Sequence, residues 1–472
     1  MRPAPRTARR PGGTGLVVSR EFTARRGSEL AQTVPEPGPA RDIYDLLTGD
    51  EDARVCKDIA DAACREQPRN YLLHIASLVA TKTGDRLAGP KLVLAWLVTS
   101  LGAPAWMLGW LVPIRESLAL LPQLVVARYL RAVPVRKWFW VAGSVLQGFA
   151  VIGMGMVALT LQGAPAGWAI LGLLTVFSLA RGICSVASKD VLGKTIAKTR
   201  RGSVTGYAAS AAGAVTVAVG IAAIALDPGS RDTGFFVAVL FSAGGLWLLA
   251  AIVYGFLAEY AGATEGGGNA LSEAVRQLGL IRRDPDLREF LVTRTLLLST
   301  ALAAPFYVSL ANRSMDNTLS GLGSLMLASG AAGFLSAPVW GRLSDRSSRL
   351  VMQRSALLAA AASLATAALS LVPELPLLPV AFATTYFALS IAHAGVRLGR
   401  KTHLVDIATA ENRASYVAVS NTVIGVMLLA GGVFGAIASL VGAAWTLVVL
   451  AALSVAAAAS AHRLSEAQQE VG

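Results

Sequence analysis

Charged residues are scarce in this chain. Asp, Glu, Lys and Arg make up 15% of its 472 residues, and 54% are hydrophobic. Soluble globular proteins carry roughly 25% charge, and a single soluble core stops growing beyond about 250–300 residues. The composition therefore excludes an ordinary soluble domain. Cysteine is rarer still: Cys56, Cys64 and Cys184 are too few for a disulfide framework and match no zinc spacing, so free thiols are expected. The N-terminal region has no apolar core of the kind a secretory signal needs. Residues 1–69 instead read as a largely disordered cytosolic tail with one short helix across Asp42–Arg65. Nucleotide-binding glycine loops, metal-ligand spacings and nucleophile–base pairs are also missing. Nothing here suggests an enzyme, a metal centre or a cofactor.

What the chain does have is long apolar runs. A helix needs about 20 mostly apolar residues to cross a bilayer. Windows of that length fall at 71–99, 106–129, 138–161, 166–187, 204–226, 232–258, 291–311, 319–340, 354–373, 376–397, 414–440 and 442–461. "ATKTGDRLAGPK" interrupts the first, which reads as one long, broken helix. The alternative, a single span over 92–114, leaves 115–130 too short to cross.

The net charge of +13 could suit nucleic acid, but its placement points elsewhere. Lys and Arg collect in alternate loops, as at Arg136 and Lys137, Lys189–Arg201, Arg282 and Arg283, and Arg400 and Lys401. The intervening loops hold only Arg231 and Arg313. This is the bias that orients membrane proteins. The expectation is an all-α integral membrane protein with twelve transmembrane helices and both termini cytosolic, multi-pass in the plasma (inner) membrane, surrounded by lipid and monomeric, with no nucleic-acid partner.

A repeat divides it. Ala180 falls on Ala392, Lys189 on Lys401, Arg201-x-Ser203 on Arg413-x-Ser415, Gly213 on Gly425 and Gly220 on Gly432, all at one offset of 212 residues (Ala180 to Ala392). Two six-helix halves follow, at 70–258 and 291–462, with 259–290 as cytosolic linker and 463–472 as a short cytosolic tail. Gly206, Gly213 and Gly220, spaced by sevens, read as a close-packing seam on the fifth span.

Ionisable residues deep in a membrane mark a pathway by default. Lys82, Asp85, Arg115 and Glu116 all lie roughly 15–20 Å from the cytosolic edge at about 1.5 Å per residue. They are the candidate solute or proton pathway. The competing reading is structural pairing, Asp85 with Arg115 or Lys82 with Glu116. Arg181 and His393 occupy equivalent repeat positions and are secondary candidates, Arg181 more suited to snorkelling and His393 to a structural role.

"GRLSDRSSR" at 341–349 sits between two apolar runs. Gly341, Leu343, Ser344, Asp345, Arg346 and Arg349 resemble the loop signature of the major facilitator superfamily, with Ser348 in place of a glycine. The resemblance covers about 70–462. It implies secondary transport of a small solute by alternating access, with protons as a candidate coupling ion. In it, Gly341, Asp345, Arg346 and Arg349 form a conformational latch, with Gly341 as a tight helix exit and Asp345 offered to a helix N-terminus. The first half reads "YLRAVPVRK" instead, without glycine or acid. The fifth span lacks the Gly-Pro pair of drug–proton antiporters. A transporter-like sensor or assembly partner that no longer transports is the second reading.

Overall fold

The computed structural model describes residues 39–48, 59–123, 126, 129–130, 132–226, 233–262, 264, 278–316, 318–372, 377–409 and 412–466. Every regular element among them is helical. The expected outer-loop charge at Arg231 lies outside the described residues.

The tail contributes α1 (Pro39–Thr48). The first span is broken as expected, into α2 (Gln67–Leu87) and α3 (Val93–Ser100). Pro90 sits in the break, where it supplies no N–H to continue the helix. The chain then turns at Gly102, in the left-handed region with φ 71°, before α4 (Ala105–Leu120). That turn excludes a single helix over 92–114. There follow α5 (Lys137–Thr160), α6 (Gly163–Thr195), α7 (Arg201–Leu226) and α8 (Thr233–Gly255).

Asp284 opens the next span by accepting from the Leu287 N–H at 3.0 Å, with Pro285 pre-set at the first helical position. This span is also interrupted, into α9 (Pro285–Leu296) and α10 (Ala304–Ser314) with a short turn of helix between. Tight i→i+3 bonds replace the regular ladder at Thr300, Ala301 and Phe306, next to Pro305. Then come α11 (Leu319–Arg346), α12 (Ser348–Leu369), α13 (Leu378–Asp406), α14 (Arg413–Ala430) and α15 (Val433–Arg463). Gly442, at φ 87°, divides the last of these. Only glycine takes that backbone conformation freely, which places a sharp reversal between the two final apolar runs.

Nine segments of the described residues are long and apolar enough to cross a membrane, the last of them running Ser415–Arg463 through that reversal. The charged first span and the short α4 fall below that standard. Within 67–255, α5 packs on α6 and α8, α2 on α7 and α8, and α4 on α6. Within 285–463, α12 packs on α13 and α15, α9 on α14 and α15, and α11 on α13. These are the same pairs, shifted by one repeat.

Two seams join the segments. At one, α7 meets α11: a Cβ at Gly323 would lie 2.6 Å from the Gly220 carbonyl, and one at Gly330 would lie 2.8 Å from Val217. Both glycines are small because backbones approach there. Farther along, Gly206 and Gly333 face open space. The expected seam is therefore confined to the Gly220 end, and the helices part toward the end that carries α1 and Glu466. At the other seam Gly109 lies against the Gly435 backbone, and the Ser117 hydroxyl donates to the Gly425 carbonyl at 2.6 Å. Beyond both, the Asn312 amide donates to Ser100 Oγ at 3.1 Å. The two segments are thus closed on each other at the end away from α1.

The cysteines divide. Cys184 is a buried free thiol, whereas Cys64 is disulfide-bonded, contrary to the expectation of free thiols throughout.

Candidate functional site

The two helix breaks face each other. Residues 88–92 of the first span correspond by the repeat to 300–304, so the first helix of each segment is interrupted at the same depth. Between them lies a cavity of about 380 Å³. Asp85, Lys91, Arg115, Glu116, Thr300, Tyr386, His393 and Arg397 are among its lining residues, so both segments contribute to its walls.

Breaking the first helix brings its charges onto one side of the cavity, against those of α4. Asp85 accepts from Arg115 at 2.8 Å and pairs with Arg181 at 2.5 Å. One carboxylate thus ties α2 to α4 and α6. Arg115 also lies over the Phe177 ring, 4.9 Å from its centre, a favourable seat for a guanidinium. Of the two expected pairings, Asp85 with Arg115 is present. Lys82 with Glu116 is not: Lys82 Nζ donates to the Thr205 carbonyl at 2.9 Å, and Glu116 lies 3.6 Å from Lys91. Arg181 does not snorkel away, because Asp85 offers it a carboxylate.

His393 is part of the cavity wall. Lys91 Nζ lies 2.9 Å from His393 Nε2. An ammonium can only donate, so Nε2 accepts, and the ring proton sits on Nδ1, 3.4 Å from Thr300 Oγ1. His393 is therefore a neutral bridge between Lys91 of one segment and Thr300 of the other. The Tyr386 hydroxyl donates to the Lys91 carbonyl at 3.3 Å, a second bond across the junction.

Sequence reasoning missed Lys91, Arg397 and Tyr386. Arg397 was hidden by the expected end of its span at 397. The helix continues to Asp406, which puts His393, Arg397 and Arg400 on one face at helical spacing. Lys91 follows the Gly89–Pro90 break directly, and a basic residue beside a break was the available signal. A further basic residue, Arg294, is buried and donates to Ser420 and Asn421 on α14. It stands one repeat from Lys82, which likewise reaches the fifth span of its own segment.

The stretch 341–349 is folded differently from expectation. The helix runs through Gly341 and ends at Arg346, so Gly341 is not the exit. Ser347 terminates it and then caps α12, accepting from the Leu350 N–H at 3.1 Å. Asp345 and Arg346 are exposed. Arg349 pairs with Glu466 at 3.1 Å, which also accepts from Ser347 at 3.0 Å. The first segment, whose own loop lacks an acid, draws carboxylates from elsewhere. Glu259 accepts from the backbone N–H of Arg136 at 2.9 Å and of Lys137 at 2.6 Å, and Asp190 takes the Arg136 guanidinium. Both clusters thus use an acid placed just after the last helix of their segment.

The described residues contain no cluster of His, Cys, Asp and Glu able to hold a metal ion.

No known protein-family profile matches the sequence, and no curated protein does. Solved structures do match in fold. A point mutant of the nucleoside transporter NupG superposes with a TM-score of 0.64 at 12% identity, covering 83% of this chain and 99% of that one. The xylose transporter XylE from E. coli, in an inward-open conformation, gives 0.60 at 12% identity, covering 83% and 95%. A POT family transporter in complex with a thioalcohol-conjugated peptide gives 0.60 at 11% identity, covering 82% and 94%. The chain shares its all-helical fold with these transporters.

Proposed function

We propose that this protein is a secondary transporter that moves a small solute by alternating access. Its twelve membrane helices form two six-helix halves, 70–258 and 291–462, joined by the linker 259–290. The observation that carries the reading is the cavity with charged side chains in its wall at the junction of the halves, flanked by two helices broken at equivalent positions. Broken helices around a midplane cavity are how transporters place a binding site inside a bilayer without stranding backbone groups.

With both termini cytosolic, as the Lys and Arg bias requires, the state described here is closed outward and open inward. Asp345 and Arg346 then stand at the open mouth, and their latch contact with the start of α7 near Gly202 and Ser203 belongs to the opposite state. Asp85 and Glu116 are the candidate proton carriers, each already paired with a cation that a solute or a proton could displace. The neighbours' printed solutes, a nucleoside, xylose and a peptide, show how widely this architecture is used and assign none of them here.

The test is uptake into vesicles reconstituted with the purified protein, across a metabolite panel, with and without a proton gradient. Accumulation of one class of solute, lost when the gradient is collapsed, supports proton-coupled transport. No uptake or counterflow of any solute by correctly folded protein would leave the sensor reading.

A further inference from the structure

The cavity wall is not electrically balanced. Two carboxylates, Asp85 and Glu116, line it together with four cations, Arg86, Lys91, Arg115 and Arg397. Asp85 is held by Arg115 and Arg181, and Glu116 by Lys91. Arg86 and Arg397 are left, one from each half. Both are exposed, and among the described residues neither makes a hydrogen bond or an ion pair within 4 Å, although Arg397 lies within electrostatic reach of Glu116. They are close enough to repel each other electrostatically. Loop cations that set topology belong at the membrane edge. Arg397 is one helical turn from His393, at the level of the solute cavity, so topology does not explain it.

We propose that the cavity takes a small solute bearing two negative charges on carboxylate or phosphate groups, bridged between Arg86 and Arg397. The proposal deepens the transport reading and rests on it for what the anion does there. A guanidinium fork matches carboxylate and phosphate geometry, and both native acids are already engaged, which disfavours a cation. Neutral hydroxyls, among them Ser329 and Ser390, line the remaining wall. The volume, about 380 Å³, holds roughly a dozen waters at about 30 Å³ each, room for a dicarboxylate or a sugar phosphate. An anion seated on both arginines replaces a repulsion between the halves with an attraction. It therefore favours the closed state by differential binding, the only way a ligand shifts such an equilibrium. Farther toward the mouth, Lys189 and Lys401 lie within electrostatic reach of each other and extend the positive field that draws anions in.

Two experiments test it on the full-length purified protein. In a Cys56, Cys64 and Cys184→Ser background, Ser390→Cys is reacted with anionic and with cationic methanethiosulfonates, and Thr160→Cys at the far end serves as reference. The anionic reagent should gain roughly ten-fold over the cationic one at Ser390→Cys relative to the reference. Arg86→Gln with Arg397→Gln should bring that ratio near one. A cationic preference, or a ratio indifferent to both arginines, overturns the proposal. In the second experiment the wild-type protein is unfolded thermally with inorganic phosphate, succinate, glucose 6-phosphate, glucose or succinamide at equal ionic strength. At least one anion should raise the midpoint and the two neutral compounds should not; which anion does so separates phosphate from carboxylate chemistry. The shift should vanish in either Arg→Gln variant. A shift from a neutral compound alone, or from none, overturns the anion site. If an anion binds through both arginines yet reconstituted vesicles neither take it up nor exchange it, transport fails and the site stands. If vesicles transport a neutral solute and the arginine variants are unaffected, the anion site fails and transport stands.

Discussion

Asp85→Asn keeps the size of a side chain that accepts from two guanidiniums while removing its charge. In the native protein the carboxylate is 2.8 Å from Arg115 and 2.5 Å from Arg181, with side-chain exposures of 18%, 13% and 31% respectively. Removing one partner of a fully buried pair costs about 3–5 kcal/mol, and the partial exposure of these side chains lowers this to roughly 2–4 kcal/mol. At about 2.1 cal/mol/K per residue, a chain of 472 residues unfolds with an entropy near 1 kcal/mol/K. The Asn variant should therefore unfold about 2–4 °C lower in detergent, read by intrinsic fluorescence. Part of the loss is repulsion between the two arginines left behind. Adding Arg181→Gln to Asp85→Asn should then recover a portion of it, although Arg181→Gln alone destabilises. An Asn variant as stable as the native protein, or a double variant whose losses simply add, would refute the bridging role.

Glu116→Gln should abolish gradient-driven accumulation while counterflow exchange remains measurable; normal accumulation would make Glu116 a structural partner of Lys91. Tyr44 is buried, meets the Tyr71 ring edge-on at 5.1 Å and accepts from Gln67 at 2.8 Å. Tyr44→Ala should cost about 3 kcal/mol of local stability and raise hydrogen exchange across α1 by roughly 100-fold, with the rest of the molecule unchanged. Asp345→Asn should shift the populations further toward the state seen here by roughly two- to five-fold, for the 0.3–1 kcal/mol such an end contact is worth. Unchanged spin-label distances between the terminal ends of α7 and α11 would reduce the stretch to a topology signal. In a background without native cysteines, Lys198→Cys should resist an impermeant thiol reagent in intact cells.

Most apolar runs were legible because a helix long and apolar enough to cross a bilayer announces itself in composition; nine such segments stand among the described residues, and the charged first span and the short α4 do not reach that standard. Reversals such as Gly442 were readable for the same reason: they fall where one run must end. The charged network was only partly legible, since a pairing depends on which faces meet. Asp85 and Arg115 could be matched by depth, but depth alone also allowed Lys82 with Glu116, and the Gly89–Pro90 break gave Glu116 to Lys91 instead. Helices that continue past the expected ends of their apolar runs caused the other misses. Arg397 and Arg400 look like loop charges if the span stops at 397, and Gly341 looks like an exit if the span stops at 340. The acids that hold the first-half loop, Asp190 and Glu259, lie 54 and 123 residues from Arg136, beyond any local motif.

Alternating access requires the two ends of the molecule to move in opposite senses. Spin labels at positions 189 and 401 report the end that carries α1, and labels at 161 and 371 report the other. In reconstituted protein, each pair should show two populations. A solute that vesicles take up should shorten the 189–401 distances and lengthen the 161–371 distances. A single population at each end, unmoved by any such solute, would contradict the account.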